Sequence, residues 1–342
     1  MCKLSIIVPV YNMASDGKLE YCINSLLNQT ISNYEIITVD DKSTDNSLEI
    51  LHRYESEYPD RIRVIESEKN GRQGAARNKG IKIARGEYIG FMDADDWVLP
   101  DTYESAIKKA EETGADVVGF DMCMVYEHTM TITDHIECNT LDQTGILDQK
   151  KRALLLLKPG PFSTKIYKKE FFTNPPFLFT ENIAYEDNAA VVEVIMRIQH
   201  FEHIPEVKCF YYQHSDSTTH YMNQKNIDDR ITSMRIALEC AKKRKVLTEF
   251  HDELEFLYAK LFYATTLFSY MQSDIKQKIS FVRSLGKEIK TEFPEFMNNA
   301  NFINSLDDEQ KKWIKLQQKS TFLFFVYYKL KKFYRLKRYG KW

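Results

Sequence analysis

The sequence predicts an α/β fold over its first two thirds and a mainly helical region after it, on three observations. Short β-branched runs alternate with helical periods four times in the first hundred residues, the signature of βαβ units and a parallel sheet with helices on both faces. The loops that follow those runs are rich in Asp, Asn, Ser and Arg. From about residue 226 the chain carries few Gly or Pro before Pro294.

"KLSIIVPVYN" is a continuous apolar run closed by turn residues, as expected of a strand covered on both faces. "GKLEYCINSLLNQT" places Leu19, Cys22, Ile23, Leu26 and Leu27 at helical spacing. "YEIITVDDKSTDNS" reads as strand and loop, "SLEILHRYESEY" as helix and "RIRVIES" as strand. "GAARNKGIKIARG" is a helix closed by Gly86, and "EYIGFMDADD" is the next strand. "TYESAIKKAEETGADVVGFDMCMVY" adds a helix and a strand. Residues 126 to 160 are irregular, with a turn at Gly145 suited to a hairpin, and "EDNAAVVEVIMRI" is a helix. This pattern divides the chain near residue 225, into 1–225, with halves of about 1–125 and 126–225, and a helical 226–342.

Composition narrows the function classes. With 43% hydrophobic and 28% charged residues the 342-residue chain is globular, neither disordered nor fibrous, and long enough for a large core or two domains. A formal net charge of -2 gives no nucleic-acid footprint. The six cysteines show no CxxC pair or metal-finger spacing, which suits free thiols in a reducing cytoplasm. "LSIIVPV" is too short for a signal core or a membrane span, so no crossing of a membrane is expected.

In a parallel sheet, ligands bind beyond the carboxyl ends of the strands, where "VYN", "VDDKSTD", "SEKNGRQGAARN" and "MDADD" would converge. Three carboxylates in four positions at Asp93, Asp95 and Asp96 repel one another unless a cation or donors compensate. A helix cap ahead of Pro100 also accommodates Asp there. As alternate residues of an extended segment, Asp93 and Asp95 would face one hard cation, Mg²⁺ or Mn²⁺, whose shell substrate phosphates complete.

"SIIVPVYN", "VDDKSTDNS", "NGRQGAARNKG" and "MDADDWVLP", in this order and spacing, resemble the nucleotide-binding half of family 2 glycosyltransferases with the GT-A fold. The likeness is close over about residues 4 to 125 and looser to about 220. It implies that Pro9 and Tyr11 shape a base and ribose pocket, that Asp41 accepts from the uracil ring N–H, and that Asp40 supports that loop. The family's Gly is replaced by Lys42, which alters a turn. Gly71 and Gly74 would free a tight loop ahead of a helix whose first N–H groups face the crevice. Arg77, with Arg72 a weaker candidate, would offer a planar cation to phosphate or ribose, and Asn78 would fix the loop.

In "YEDNAAV" the acids of a first helical turn suit the macrodipole. The resemblance gives them a sharper role, Asp187 as general base of an inverting transfer and Glu186 second. In "YYQHSDSTTH", His214, Ser217 and Thr218 are candidates for diphosphate or acceptor contacts. Trp97 is a packed residue beside the acidic loop or a platform for an acceptor sugar.

The resemblance therefore implies a metal-dependent transfer of a hexose or N-acetylhexosamine from a UDP-sugar to a glycan or lipid-linked glycan. The setting would be the synthesis of bacterial capsule, O-antigen or another surface polysaccharide. Two other classes share some of these features. A nucleotidyltransferase acting on a sugar phosphate would want a Gly-rich basic loop after the first strand, which "PVYNMASDG" lacks. A glycan-binding protein on the same fold would not need the acids.

The segment 319–342 has no acidic residue and mixes Lys and Arg with Phe, Tyr and Leu. It reads either as a docked helix with a basic outer face, or as an amphipathic helix lying peripherally on anionic membrane, where each basic residue adds ~1 kcal/mol.

Overall fold

The computed structural model describes residues 2–214 and 222–339. The chain forms two compact units, Met1–Ser215 and Asp216–Trp342.

The first unit is built on one sheet. Its strands are β1 (Leu4–Val10), β2 (Tyr34–Asp40), β3 (Ile62–Glu66), β4 (Tyr88–Phe91), β5 (Trp97–Val98), β6 (Val117–Val125), β7 (His135–Ile136), β8 (Gly145–Ile146), β9 (Lys165–Lys168) and β10 (His200–Tyr212). Its helices are α1 (Lys18–Leu27), α2 (Ser47–Glu57), α3 (Arg72–Ile83), α4 (Thr102–Thr113), α5 (Gln149–Leu157), α6 (Glu170–Thr173) and α7 (Glu186–Arg197). The strand order is β3-β2-β1-β4-β9-β6-β10-β5, with β7 beside β6 and β8 beside β10. β3, β2, β1 and β4 run parallel to one another, as the alternating pattern requires. Every residue of β1 and β2 is buried, which explains their largely apolar sequence, and the buried Ser5 and Glu35 pair with each other across the two strands at 2.7 Å.

Beyond β4 the sheet becomes mixed. β9 inserts antiparallel between β4 and β6, while β10 runs parallel to β6. Gly145 does not form a hairpin, because β8 pairs with β10 at His200 and Phe201. The expected strand "EYIGFMDADD" stops at Phe91, and the amide of Asp96 donates to the Asp93 carbonyl at 3.0 Å, closing a turn. The period of two that would aim Asp93 and Asp95 alike is lost in that turn.

Small residues bring α3 close to the sheet. A Cβ on Gly80 would stand 2.5 Å from an Ile7 methyl, so only glycine admits this approach. The apolar faces of α1 and α4 cover the sheet through Leu19, Cys22, Ile23, Leu26, Tyr103 and Ala106.

The second unit is helical among its described residues: α8 (Gln224–Lys243), α9 (His251–Leu257), a π-helical stretch Tyr258–Thr265, α10 (Thr266–Gln272), α11 (Ile279–Glu292), α12 (Ala300–Asn304), α13 (Asp308–Lys319) and α14 (Thr321–Tyr339). Its core is aromatic, with Phe250, Tyr258, Phe262, Tyr263 and Tyr270 fully buried. None of the helices among the described residues is long and apolar enough to cross a membrane.

Candidate active site

The ends of β1 and β2 are stapled together by their loops. The amide of Asn12 donates to Ser43 Oγ at 3.0 Å, that of Met13 to Ser47 Oγ at 2.7 Å, and that of Thr44 to Asn12 Oδ1 at 2.8 Å. Pro9 lies buried in β1 opposite Val39, and Tyr11 stands exposed just past the strand. Asp41 is buried, and its carboxylate accepts from the amides of Gly71 (2.9 Å) and Arg72 (2.7 Å), so it closes the glycine loop of α3 onto β2. A carboxylate has about four lone-pair sites, which leaves room for a further donor. Asp40 Oδ2 accepts from the Ser43 amide at 3.1 Å, while its buried Oδ1 meets no donor in the structure. Lys42 has φ +65°, the left-handed region that glycine fills at lowest cost, so the substituted turn keeps its conformation at the expense of backbone strain.

Helix α3 carries the rest of the site along its flank. Asn78 Nδ2 donates to the Phe179 carbonyl and to Glu181 Oε1, both at 3.0 Å, and its Oδ1 accepts from the Phe179 amide at 2.9 Å. Asn78 thus fastens the segment leading to the acidic pair rather than its own loop. Gly74 lies inside α3 and makes this approach possible, because a Cβ there would fall 2.2 Å from the Thr180 carbonyl oxygen. Gly74→Ala is expected to push the 179–187 segment off α3 at a cost of about 1–3 kcal/mol. Thermal melting checks this, and a loss below about 0.5 kcal/mol would mean that the segment yields freely.

Arg77 does not face an open crevice. It is 4% exposed, donates to Glu186 Oε1 at 2.6 Å and to Asp93 Oδ1 at 3.4 Å, and lies against the rings of Phe91 and Phe179. The expected partner is phosphate or ribose, but its charge lies between the carboxylates of Glu186 and Asp93. Asp93 also takes a long contact from Gln73 Nε2 at 3.5 Å, and Asp95 Oδ2 meets His214 Nε2 at 2.9 Å. Asp96 is buried and accepts from the Tyr212 amide at 3.0 Å, which ties the acidic turn to the end of β10. Trp97 is fully buried, with its Nε1–H donating to the Thr129 carbonyl and its ring packed among Tyr21, His128 and Phe210. No acceptor sugar can stack on it, which corrects that alternative. Ser217 and Thr218 lie outside the described residues.

The family model "Glycosyl transferase family 2" matches residues 5–172. The chain belongs to glycosyltransferase family 2. The Bacillus subtilis glycosyltransferase EpsJ is 33% identical over 234 residues, 67% of this chain and 66% of that protein. A poly(ribitol-phosphate) beta-glucosyltransferase of Bacillus spizizenii is 49% identical over 98 residues, 28% of this chain and 15% of that protein. The crystal structure of S. aureus TarS 1-349 in complex with UDP-GlcNAc superposes with a TM-score of 0.68 at 19% identity, covering 99% of this chain and 93% of that one. That likeness shows a GT-A-like fold followed by a mostly helical region.

In this family 2 site the charges are unevenly compensated. Burial pushes the Glu186 carboxyl up from its ordinary 4.5 to about 7, against the pull of Arg77 and with a further push from Asp187. Burial likewise raises Asp93, opposed by Arg77 and reinforced by Asp95 and Asp187. Asp96 is raised well above the usual carboxylate range by burial and by Asp95 and Asp93. A hard divalent cation would relieve this repulsion, and Asp95 with His214 sets a carboxylate oxygen beside an imidazole nitrogen, though as a pair and not as a closed set of three ligands. Asp93, Asp95 and His214 do not all lie within 4.8 Å of one another. Asp187 is only partly buried, and its carboxylate accepts from the Asn188 amide at 2.7 Å. The residue before the pair, Tyr185, has φ +63°, a strained conformation for a bulky side chain at the mouth of an acidic helix. Gln73 and the Arg77–Glu186 bridge escaped the sequence reading, since their partners lie 20 and 109 positions away.

Proposed function

We propose that this glycosyltransferase moves a hexose or N-acetylhexosamine from a UDP-sugar, with inversion, to a hydroxyl of a glycan in the synthesis of a bacterial capsule, O-antigen or other cell-surface polysaccharide. The observation that carries the reading is the convergence on α3 of the Asp41 loop, the acidic turn and the acidic pair. The similarity to a poly(ribitol-phosphate) beta-glucosyltransferase supports a cell-surface polymer as acceptor, and the UDP-GlcNAc complex of TarS supports a uridine donor.

On this reading Pro9 and Tyr11 bound the base, and Asp41, held rigid by its two backbone donors, accepts from the uracil N–H. Asp187 takes the acceptor hydroxyl's proton as that oxygen bonds to the anomeric carbon, on the face opposite the breaking bond to UDP. Glu186, buried against Arg77, is the positioning partner that keeps Arg77 in place behind Asp93. Asp95, Asp93 and His214 would hold Mn²⁺ or Mg²⁺, which neutralises the diphosphate of the leaving group when bound. The enzyme works in the cytoplasm, where nucleotide sugars and lipid-linked acceptors are both at hand.

Asp95→Ala is expected to abolish the metal-dependent part of UDP binding, because a hard oxygen ligand is lost. Calorimetric titration of UDP with and without Mn²⁺ reads this directly. Metal-dependent affinity that survives the substitution would remove Asp95 from the assignment.

A further inference from the structure

Helix α14 has two faces of different chemistry. Inward, Phe324 and Tyr328 are buried against Trp313, Lys331 and Arg335 pair with Glu309, and Lys332 donates to the carbonyls that end α10, Gln272 and Ser273. Outward, Phe322, Leu323, Tyr327, Leu330, Phe333 and Tyr334 are exposed, Leu330 and Phe333 by 59% and 68%. The docked helix expected from the sequence turns a basic face outward; among its described side chains two aromatics, Phe324 and Tyr328, are buried, and the outer face is an apolar strip with basic residues at it.

At 100° per residue the six exposed apolar positions fall within an arc of about 140°. Exposed Lys329 and Arg338 sit at about 20° beyond its two edges, and exposed Lys337 lies within it. Long basic side chains bordering an apolar strip extend their charges to headgroup level while the strip enters the acyl boundary. No acid follows Glu309, so the α14 of a second copy would set like charges against these cations, whereas an anionic headgroup layer meets all three.

We infer that the outer face of α14 is a docking surface for an anionic phospholipid bilayer, with Phe322, Leu323, Tyr327, Leu330, Phe333 and Tyr334 entering the interface and Lys329, Lys337 and Arg338 at the headgroups. The proposed transfer to a lipid-linked acceptor gives this attachment a purpose, but its evidence is independent of the site. At 19 residues with six Lys or Arg, α14 lies on the bilayer and does not span it.

The test is sedimentation of the full chain with phosphatidylcholine vesicles, with and without phosphatidylglycerol, at low and high salt. No nucleotide sugar is present, so the result is separate from the transfer reaction. The parent chain is expected to bind the anionic vesicles at low salt and to be released by high salt. Leu330→Glu with Phe333→Glu, at exposed positions, should weaken binding by about tenfold or more with unchanged melting. Lys329→Gln with Lys337→Gln should lose the preference for phosphatidylglycerol while keeping the fold. Failure of the parent chain to bind at low salt, equal binding to neutral vesicles, or glutamate variants that sediment like the parent would each overturn the inference. A lipid-free dimer split by the glutamate variants, with no vesicle binding, would overturn it in favour of a second copy of this chain.

Discussion

Asp187→Asn is expected to leave UDP affinity near that of the parent while transfer falls by roughly 10²-fold or more, the scale on which removal of a general base is felt. The substitution keeps the acceptor that Asp187 offers to the Asn188 amide, because an amide oxygen can take the same bond. What it removes is the negative charge and the proton-accepting oxygen. The residue lies at the start of α7 and makes no hydrogen bond to the β1 and β2 loops that would hold the base, so binding and chemistry should separate. Single-turnover transfer beside a UDP titration makes the comparison. Transfer persisting at half the parental rate would place the base elsewhere, and Glu186→Gln would be examined next.

Arg77→Met should destabilise the first unit by about 3–5 kcal/mol, the range for stripping one partner from a buried ion pair. Methionine can occupy the apolar slot between Phe91 and Phe179, but it leaves Glu186, 2% exposed, without its 2.6 Å donor. The pH dependence gives the signature. A carboxyl raised in the folded state, here from 4.5 to about 7, makes stability fall as pH rises between those values and level off above them. Without Arg77 the folded-state value rises further, so the decline continues above 7 and the deficit is larger at about pH 8 than at about pH 6. Adding Glu186→Gln should recover most of the loss, since the buried charge then disappears. Urea melts at the two pH values measure all of this. A deficit under about 1 kcal/mol, or one that grows as pH falls, would show that the pair does not hold the segment.

The parts of this fold that a reader of the sequence can see are those made locally. β1, α1, β2, α2 and β3 are each specified by their own periodicity and end at their own turn residues, and the structure follows them closely. β5, β8 and β9 are two to four residues long and owe their existence to partners far along the chain, so no window of sequence contains the reason for them. The same division runs through the site. The acids of "MDADD" stand out by composition, but the turn that reorients them depends on the Asp96 amide, and the Asp95–His214 contact spans 119 positions. Arg77 was legible as a special residue on a glycine-led helix. Its burial was not, because the rings that enclose it come from β4 and from the segment after α6.

Helix α3 receives the Asp41 loop at Gly71, the Thr180 carbonyl against Gly74, and the bonds of Arg77 and Asn78 to Glu186 and Phe179, all within eight residues. It therefore works as a gauge. The distance between the Asp41 loop and the acidic pair is set by the helix rise, about 1.5 Å per residue, and their relative bearing by its pitch. Inserting one residue between Gly74 and Arg77 would swing the later contacts by about 100° relative to the earlier ones, and no loop could absorb the error. A surface loop can lengthen or shorten without moving these contacts, whereas a change of length in this stretch displaces them all.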